Sequence, residues 1–238
     1  MSDRISLTRR LRAAADFVRR GSVAADVGCD HGKLSAYLLD SGRAEFVYAT
    51  DIREQPLEKA AALLSSERYE GRYECVLTDG LNGLPADRIT DVVIAGVGDD
   101  VTEKIISNAP WLRDEQKRLV LVPASRHERV RQFLAENGFS VIGERAVSER
   151  RHVYTVIAAE YCGISGKPGT REKWLGRIDL TTEDGREYIT VLERRMKAVA
   201  EGIRDREDPN YKEAVRVLEE IRHLADGTGT EDTEEDKG

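Results

Sequence analysis

The chain has 238 residues, of which 40% are hydrophobic, 6% aromatic and 34% charged, and its formal net charge is -7. This length permits one domain of ordinary size plus a small appendage, and the longest uncharged apolar run, Val92 to Val97, is too short to span a bilayer. The first twenty residues lack an apolar stretch of signal-peptide type, and three widely spaced cysteines, Cys29, Cys75 and Cys162, suit neither a disulfide framework nor a zinc knuckle. A cytoplasmic protein with reduced thiols, no metal and no membrane association is expected.

The pattern from Ile5 to Val18 places Ile5, Leu7, Leu11, Ala14, Ala15 and Val18 on one stripe between arginines, which predicts an amphipathic leading helix closed by Gly21. Short β-branched runs follow at Val23 to Val27, Phe46 to Thr50, Tyr73 to Leu77, Val92 to Ala95 and Leu119 to Val122. Helical segments separate them at Leu34 to Leu39, Leu57 to Ser65, Val101 to Asn108 and Glu128 to Asn137. This alternation predicts an α/β fold: a mostly parallel, Rossmann-like sheet with helices on both faces. The runs Phe139 to Arg145 and Val153 to Tyr161 have no helix between them and predict a terminal strand hairpin turning near Ser148 to Arg151.

Gly and Pro punctuate Cys162 to Thr170, which marks a hinge. Beyond it, Ile189, Leu192, Met196, Val199 and Ile203 form a heptad seam, and Tyr211, Ala214, Leu218, Ile221 and Ala225 repeat its spacing. Two such stripes joined across Asp208-Pro209 predict an antiparallel, coiled-coil-like helical hairpin. Three regions are therefore expected: 1–162, a catalytic unit with its leading helix; 163–225, the hairpin; and 226–238, a disordered tail without apolar residues.

The charge is unevenly spread. Met1 to Arg20 carries +4 and Arg113 to His152 carries +3, whereas Asp226 to Gly238 carries -5. The overall acidity is thus concentrated in the tail and does not speak against an anionic partner.

In open α/β sheets, ligands bind beyond the carboxyl ends of the strands. After the first strand comes Asp26-Val27-Gly28-Cys29-Asp30-His31-Gly32. This is not the GxGxxG fingerprint of dinucleotide enzymes, and its acids would repel a pyrophosphate while attracting a sulfonium and an ammonium group. The second strand ends at Asp51, 23 residues after Gly28, a placement that suits two ribose hydroxyls. The third ends Asp79-Gly80, where Asp79 could accept an adenine amine and Leu81 cover the ring. The fourth ends Gly96-Val97-Gly98-Asp99-Asp100. Together the four turns describe a site for an adenosine with a short charged appendage, and S-adenosyl-L-methionine fits best.

These residues resemble the bacterial tRNA (adenine(22)-N(1))-methyltransferases, a branch of the class I S-adenosylmethionine-dependent enzymes. The similarity runs through Leu7-Thr8-Arg9-Arg10-Leu11, VAADVGCDHGKLSAYLL, ATDIREQPLEKA, LTDGL, VVIAGVG and LVLVPASRHERVRQFLAENGFSVIGE, and on to the helical hairpin. The resemblance implies that Asp26, Gly28, Asp30 and His31 border the methionine end of the cofactor. It also implies that Asp51 and its neighbour Ile52 bind the ribose side, that Asp79 and Gly80 form the adenine turn, and that Gly96, Val97 and Gly98 face the methyl group. The chain departs from the family at Asp99 and Asp100, where another glycine is usual, and at Lys33 and Ser35, where Tyr and Pro are frequent.

Methylation at adenine N1 needs no strong base, because N1 already has a lone pair; alignment and exclusion of water supply most of the acceleration. The methylated adenine is cationic, so a carboxylate beside it would stabilise it or take the N6 proton. Asp30 is the first candidate for that role and Asp99 the second, with His31 as a third group that either takes part or only orders the turn. Phosphate contacts need Lys and Arg; the candidates are Arg9 and Arg10 near the N-terminus, Arg126 and Arg129, and also Arg4, Arg12, Arg131, Arg150 and Arg151. The expected partner is tRNA, bound by a monomer or weak dimer. The alternatives are a methyltransferase for another RNA or a small molecule, and a catalytically silent RNA-binding relative.

Overall fold

The computed structural model describes residues 5–225, so the tail expected at 226–238 lies outside the described residues. Helix α1 (Arg9–Phe17) leads into β1 (Ser22–Val27), α2 (Lys33–Asp40), β2 (Ala44–Asp51), α3 (Glu54–Leu64), β3 (Tyr73–Leu77), β4 (Asp91–Ala95), α4 (Asp99–Ser107), β5 (Arg118–Val122) and α5 (His127–Glu136). The strands β6 (Phe139–Glu149) and β7 (His152–Tyr161), a short α6 (Thr170–Trp174), and the long helices α7 (Glu183–Gly202) and α8 (Pro209–Ala225) complete the chain.

The strands form one sheet in the order β3-β2-β1-β4-β5-β7-β6. Strands β1 to β5 run parallel, and β7 lies antiparallel to both β5 and β6. Side chains alternate between the faces with period two. Val93 and Val120 pack with Ala14, Leu38 and Leu64 under α1, α2 and α3, while Val92, Ile94, Leu119 and Leu121 pack with Ile106 and Leu134 under α4 and α5. Both faces are covered, which is why these strands read as continuous apolar runs. The sheet order reverses between β1 and β4, and a crevice opens there above the carboxyl ends of the strands.

Several elements differ from the sequence expectation for local reasons. Helix α1 starts at Arg9 because the Thr8 hydroxyl accepts the Leu11 N–H as an N-cap, leaving Ile5 and Leu7 partly buried against the core ahead of it. Helix α3 starts three residues earlier than expected, with Pro56 in its first turn, where proline is tolerated. Strand β6 continues past Arg145 to Glu149, with a register irregularity between Val141 and Gly143; a Cβ on Gly143 would lie 2.8 Å from Phe17 of α1.

The expected helical hairpin is α7 and α8, and α7 spans about 30 Å. Thr182 caps α7 by accepting the Gly185 N–H at 3.0 Å. Leu192 and Met196 face Ala214, Val217 and Ile221, and this seam is closed by Trp174, Leu175 and Ile178 and by Ala146 of β6. The segment expected as a hinge is tied down: Cys162 and Gly163 donate to the Gly138 carbonyl and Gly166 to that of Ala135. The guanidinium of Arg131 binds Glu144 Oε1 at 2.7 Å and also the Trp174 carbonyl and the Tyr188 hydroxyl, both at 3.1 Å. This buried network fastens α6 and α7 to the sheet.

Candidate cofactor and methyl-transfer site

A cleft of 860 Å³ lies above the carboxyl ends of β1 to β4, within the size range of small-molecule sites. Its floor is the first turn. Gly28, with φ of +72°, donates with Cys29 to the Thr50 carbonyl, each at 2.9 Å, which folds the turn against the end of β2. Gly32 has φ of +68°, and a Cβ there would meet Ala60 of α3 at 2.9 Å, so only glycine fits this entry into α2.

Asp26 is buried at the end of β1, and its Oδ2 accepts the Ser35 hydroxyl at 2.6 Å. Burial, opposed in part by that hydrogen bond, pushes its pKa up to about 6. Burial likewise pushes the Cys29 thiol up, reinforced by Asp26 and Asp51, so this thiol stays protonated and is a poor nucleophile. Asp51 is buried at the end of β2, and its Oδ1 accepts the Arg53 N–H at 2.9 Å; Oδ2 is left for another donor. Asp30 sits in the left-handed region with φ of +50°, and its Oδ2 lies 2.7 Å from His31 Nδ1. This half-exposed acid and imidazole form a pair at the mouth of the cleft.

The far side is built by β3 and β4. Asp79 is partly exposed and ion-paired with Lys104 at 3.1 Å. Gly80, with φ of +67°, leaves 3.0 Å between a notional Cβ and Ile105. Leu81, expected over an adenine ring, is instead buried in the core below, because the left-handed Gly80 turns the chain under the sheet. The apolar surface offered to a ring comes from Ile52, 66% exposed, and Val101, 45% exposed. Gly96 donates to the Val122 carbonyl at 3.0 Å and Ala124 to that of Val97 at 2.9 Å, so the fourth turn is braced by the strand beside it.

The cleft therefore brings together Asp26, Gly28, Asp30, His31, Asp51, Ile52, Asp79, Gly80, Gly96 and Val97. It does not include Gly98, which caps α4, or Asp99. Asp99 is buried beside the fourth turn, with Oδ1 2.8 Å from Arg126 Nε and Oδ2 3.3 Å from Arg129 Nε. Asp100 pairs with the same two arginines at 2.9 and 3.5 Å. The charges of Arg126 and Arg129 are thus matched locally. Arg9 binds Asp184 of α7 at 2.8 Å and the Ser148 carbonyl at 2.6 Å. Arg10 alone of the four arginines first assigned to RNA lines the cleft. Sequence reasoning missed that the leading segment contributes a wall through Thr8 and Leu11; both fall in the stretch Leu7 to Leu11 that carried the family resemblance, but nothing in it pointed to the cleft.

Among the described residues, no cluster of His, Cys, Asp or Glu could hold a metal ion, and no helix is long and apolar enough to cross a membrane. Compared with known protein families, residues 7–157 match the methyltransferase domain. The chain belongs to the methyltransferase domain family. A curated relative, the tRNA (adenine(22)-N(1))-methyltransferase of Bacillus subtilis, is 26% identical over 172 residues, covering 69% of this chain and 72% of the relative. Two solved structures share the fold. A Streptococcus agalactiae protein of the NADB-Rossmann superfamily is 23% identical with a TM-score of 0.81, covering 94% of this chain and 99% of its own. TrmK of M. capricolum, in complex with S-adenosyl-homocysteine, is 20% identical with a TM-score of 0.75 over the same shares. In this methyltransferase the cleft occupies the position where the fold binds its ligand.

Proposed function

We propose that this chain transfers a methyl group from S-adenosylmethionine to N1 of an adenine in the D arm of tRNA, at position 22; N1 of adenine 22 is what the name of its Bacillus subtilis relative states for that enzyme. The observation that carries the reading is the donor set converging on one cleft. A buried acid lies at the end of β1, a second acid with a free oxygen at the end of β2, and exposed Ile52 and Val101 line the same cleft. The set fits a nucleoside with a cationic appendage and opposes a pyrophosphate. Asp51 would hold the ribose hydroxyls, Asp79 and Gly80 the adenine edge, and Asp26 the cationic methionine end. When bound, the cofactor supplies an electrophilic methyl group on sulfur.

The protein's own contribution is placement and exclusion of water. Gly96 and Val97, braced from β5, border the space where the acceptor adenine would lie. The Asp30 carboxylate, oriented by His31, faces the positive charge that develops on the methylated base or accepts the N6 proton. Asp99 acts through the fold: it holds α4 to α5 and leaves Asp30 as the acid at the cleft mouth. In this reading residues 1–162 carry catalysis, 163–225 orient the tRNA, and the enzyme works in the cytoplasm as a monomer or weak dimer.

The test is incubation with methyl-labelled S-adenosylmethionine and unmodified tRNA, followed by nucleoside mapping. The expected product is 1-methyladenosine at position 22. Label at another nucleoside refutes the assigned position, and cofactor binding without transfer to any RNA refutes the tRNA reading in favour of a small acceptor. Asp30→Asn is expected to slow transfer while leaving cofactor affinity unchanged.

A further inference from the structure

Most arginines near the cleft are already matched. Arg9 binds Asp184, Arg126 and Arg129 bind Asp99 and Asp100, and Arg131 binds Glu144. The turn between β6 and β7 is different. Arg150, Arg151 and His152 are exposed there and, with Arg10, Glu149 and Tyr154, line a second cavity of 530 Å³. Arg10 lines this cavity and the methyl-transfer cleft alike, so the two share a wall. Glu149 is the one acid in the lining, and Arg10 takes up its charge: Nη1 donates to Oε1 at 2.8 Å and the backbone N–H to Oε2 at 3.2 Å. The Arg10 guanidinium also lies 4.7 Å from the centre of the Tyr154 ring, which fixes its position. Among the described residues, Arg150 and Arg151 have no hydrogen-bond or ion-pair partner.

Arg150 also has a φ of +60°. Glycine makes such a turn without strain, whereas a residue with a Cβ is disfavoured there. Two uncompensated guanidinium groups therefore stand beside the cleft mouth, one of them at a strained position. A side chain that only closed the turn would need neither charge.

We propose that the β6–β7 turn is the site where the RNA strand docks, with Arg150 and Arg151 binding phosphates that flank the adenine entering the cleft. The proposal rests on the tRNA reading and names the surface that receives the substrate backbone. Guanidinium groups pair bidentately with phosphate, and exposed His152 adds a planar face for a neighbouring unstacked base.

The test uses the full chain, unmodified tRNA and the double variant Arg150→Gly with Arg151→Ala; glycine is chosen because it suits the left-handed backbone. Cofactor affinity serves as the folding control and is expected to be unchanged. Affinity for tRNA is expected to fall about tenfold, and the plot of log affinity against log salt over roughly 50 to 200 mM to become shallower by one to two units. Arg113→Ala, at the opposite end of the sheet ahead of β5, is expected to change neither quantity. The proposal is overturned if the wild type binds tRNA in a salt-dependent way and the double variant matches it in both affinity and slope. If the wild type neither binds nor methylates tRNA, the tRNA reading itself has failed, and this docking site with it.

Discussion

The Ser35 hydroxyl donates to Asp26 Oδ2 across 2.6 Å, with both side chains buried beneath the cleft floor. Burial raises the Asp26 pKa to about 6, and the Ser35 hydrogen bond lowers it against that trend. At neutral pH the carboxylate is therefore ionised and able to attract a sulfonium or ammonium group. Cofactor affinity is expected to weaken as pH falls through 6, and binding near pH 6 to release a proton, because a nearby cation favours the ionised acid. Titration calorimetry in two buffers of different ionisation enthalpy measures that proton directly. In Ser35→Ala the lost hydrogen bond to a charged group, worth about 1.5 kcal/mol, is expected to move the affinity midpoint up by about one pH unit. A midpoint that stays in place in the variant would show that Asp26 does not govern binding.

The same acid has a consequence for stability that runs against a second group. Asp26 titrates at about 6 in the fold instead of 3.8. Between those values the folded chain holds a proton that the unfolded chain has released, so this contribution to stability falls as pH rises from 3.8 to 6. His127 is half-buried beside Arg131 and Tyr188, and burial followed by the Arg131 charge lowers its pKa from 6.5 to about 4. The folded chain keeps that imidazole neutral while the unfolded chain protonates it, so this contribution falls as pH drops from 6.5 to 4. The two slopes oppose each other across pH 4 to 6, each approaching about 1.4 kcal/mol per pH unit at its steepest. Relative to wild type, Asp26→Asn is expected to lose stability on acidification through this window and His127→Gln to gain it. Difference curves of unfolding free energy against pH would cancel the carboxylates common to all three proteins. Parallel curves would rule out both shifts.

Asp99 and its arginines should respond unequally to substitution. The Asp99 side chain is fully buried, whereas Arg126 and Arg129 are nearly half exposed. Asp99→Ala releases two guanidinium groups that water and Asp100 can serve, at an expected loss of about 1 kcal/mol. Removing both arginines strands a buried carboxylate, for which about 3 kcal/mol or more is expected. Urea unfolding of the two variants ranks them, and the reverse order would show that Asp99 is better solvated than its burial implies. Per folded molecule, Asp99→Ala is expected to retain transfer activity that Asp30→Asn loses.

The sequence made the strand ends legible because their chemistry is local. Asp26, Gly28, Asp51, Asp79 and Gly80 each follow a β-branched run, and a parallel sheet carries such positions to one edge. Asp99 looked equivalent by that rule, yet the rule cannot see Arg126 and Arg129, which arrive from the next helix and bury the acid in a pair. The wall from α1 was hidden for a similar reason: Thr8 and Leu11 reach the cleft only through packing of the leading helix on the sheet. The RNA arginines show the same limit, since a sequence lists cations without their partners. Only the fold separates Arg126, whose charge is matched, from Arg150, whose charge is not.

The attachment of α6 and α7 to the sheet turns on Gly176. Its φ is +61°, and a Cβ there would run into Glu144 Oε2 and come within 2.6 Å of Arg131 Nε. Those two side chains form the buried pair that also holds the Trp174 carbonyl and the Tyr188 hydroxyl, and Glu144 Oε2 accepts the Arg177 N–H at 3.0 Å. Gly176→Ala combines backbone strain with a wedge between two buried charges, and a loss of about 3–5 kcal/mol is expected, comparable to breaking the pair outright. The damage should be local. Protease cleavage between residues 162 and 183 is expected to accelerate well ahead of any loss of cofactor binding, because the cleft is built on β1 to β4 and β6 is the far edge of the sheet. Cleavage at the wild-type rate would mean that the apolar seam and the contacts of Asp184 with Arg9 and the Ser148 N–H hold the α7–α8 hairpin without help from the Arg131–Glu144 pair.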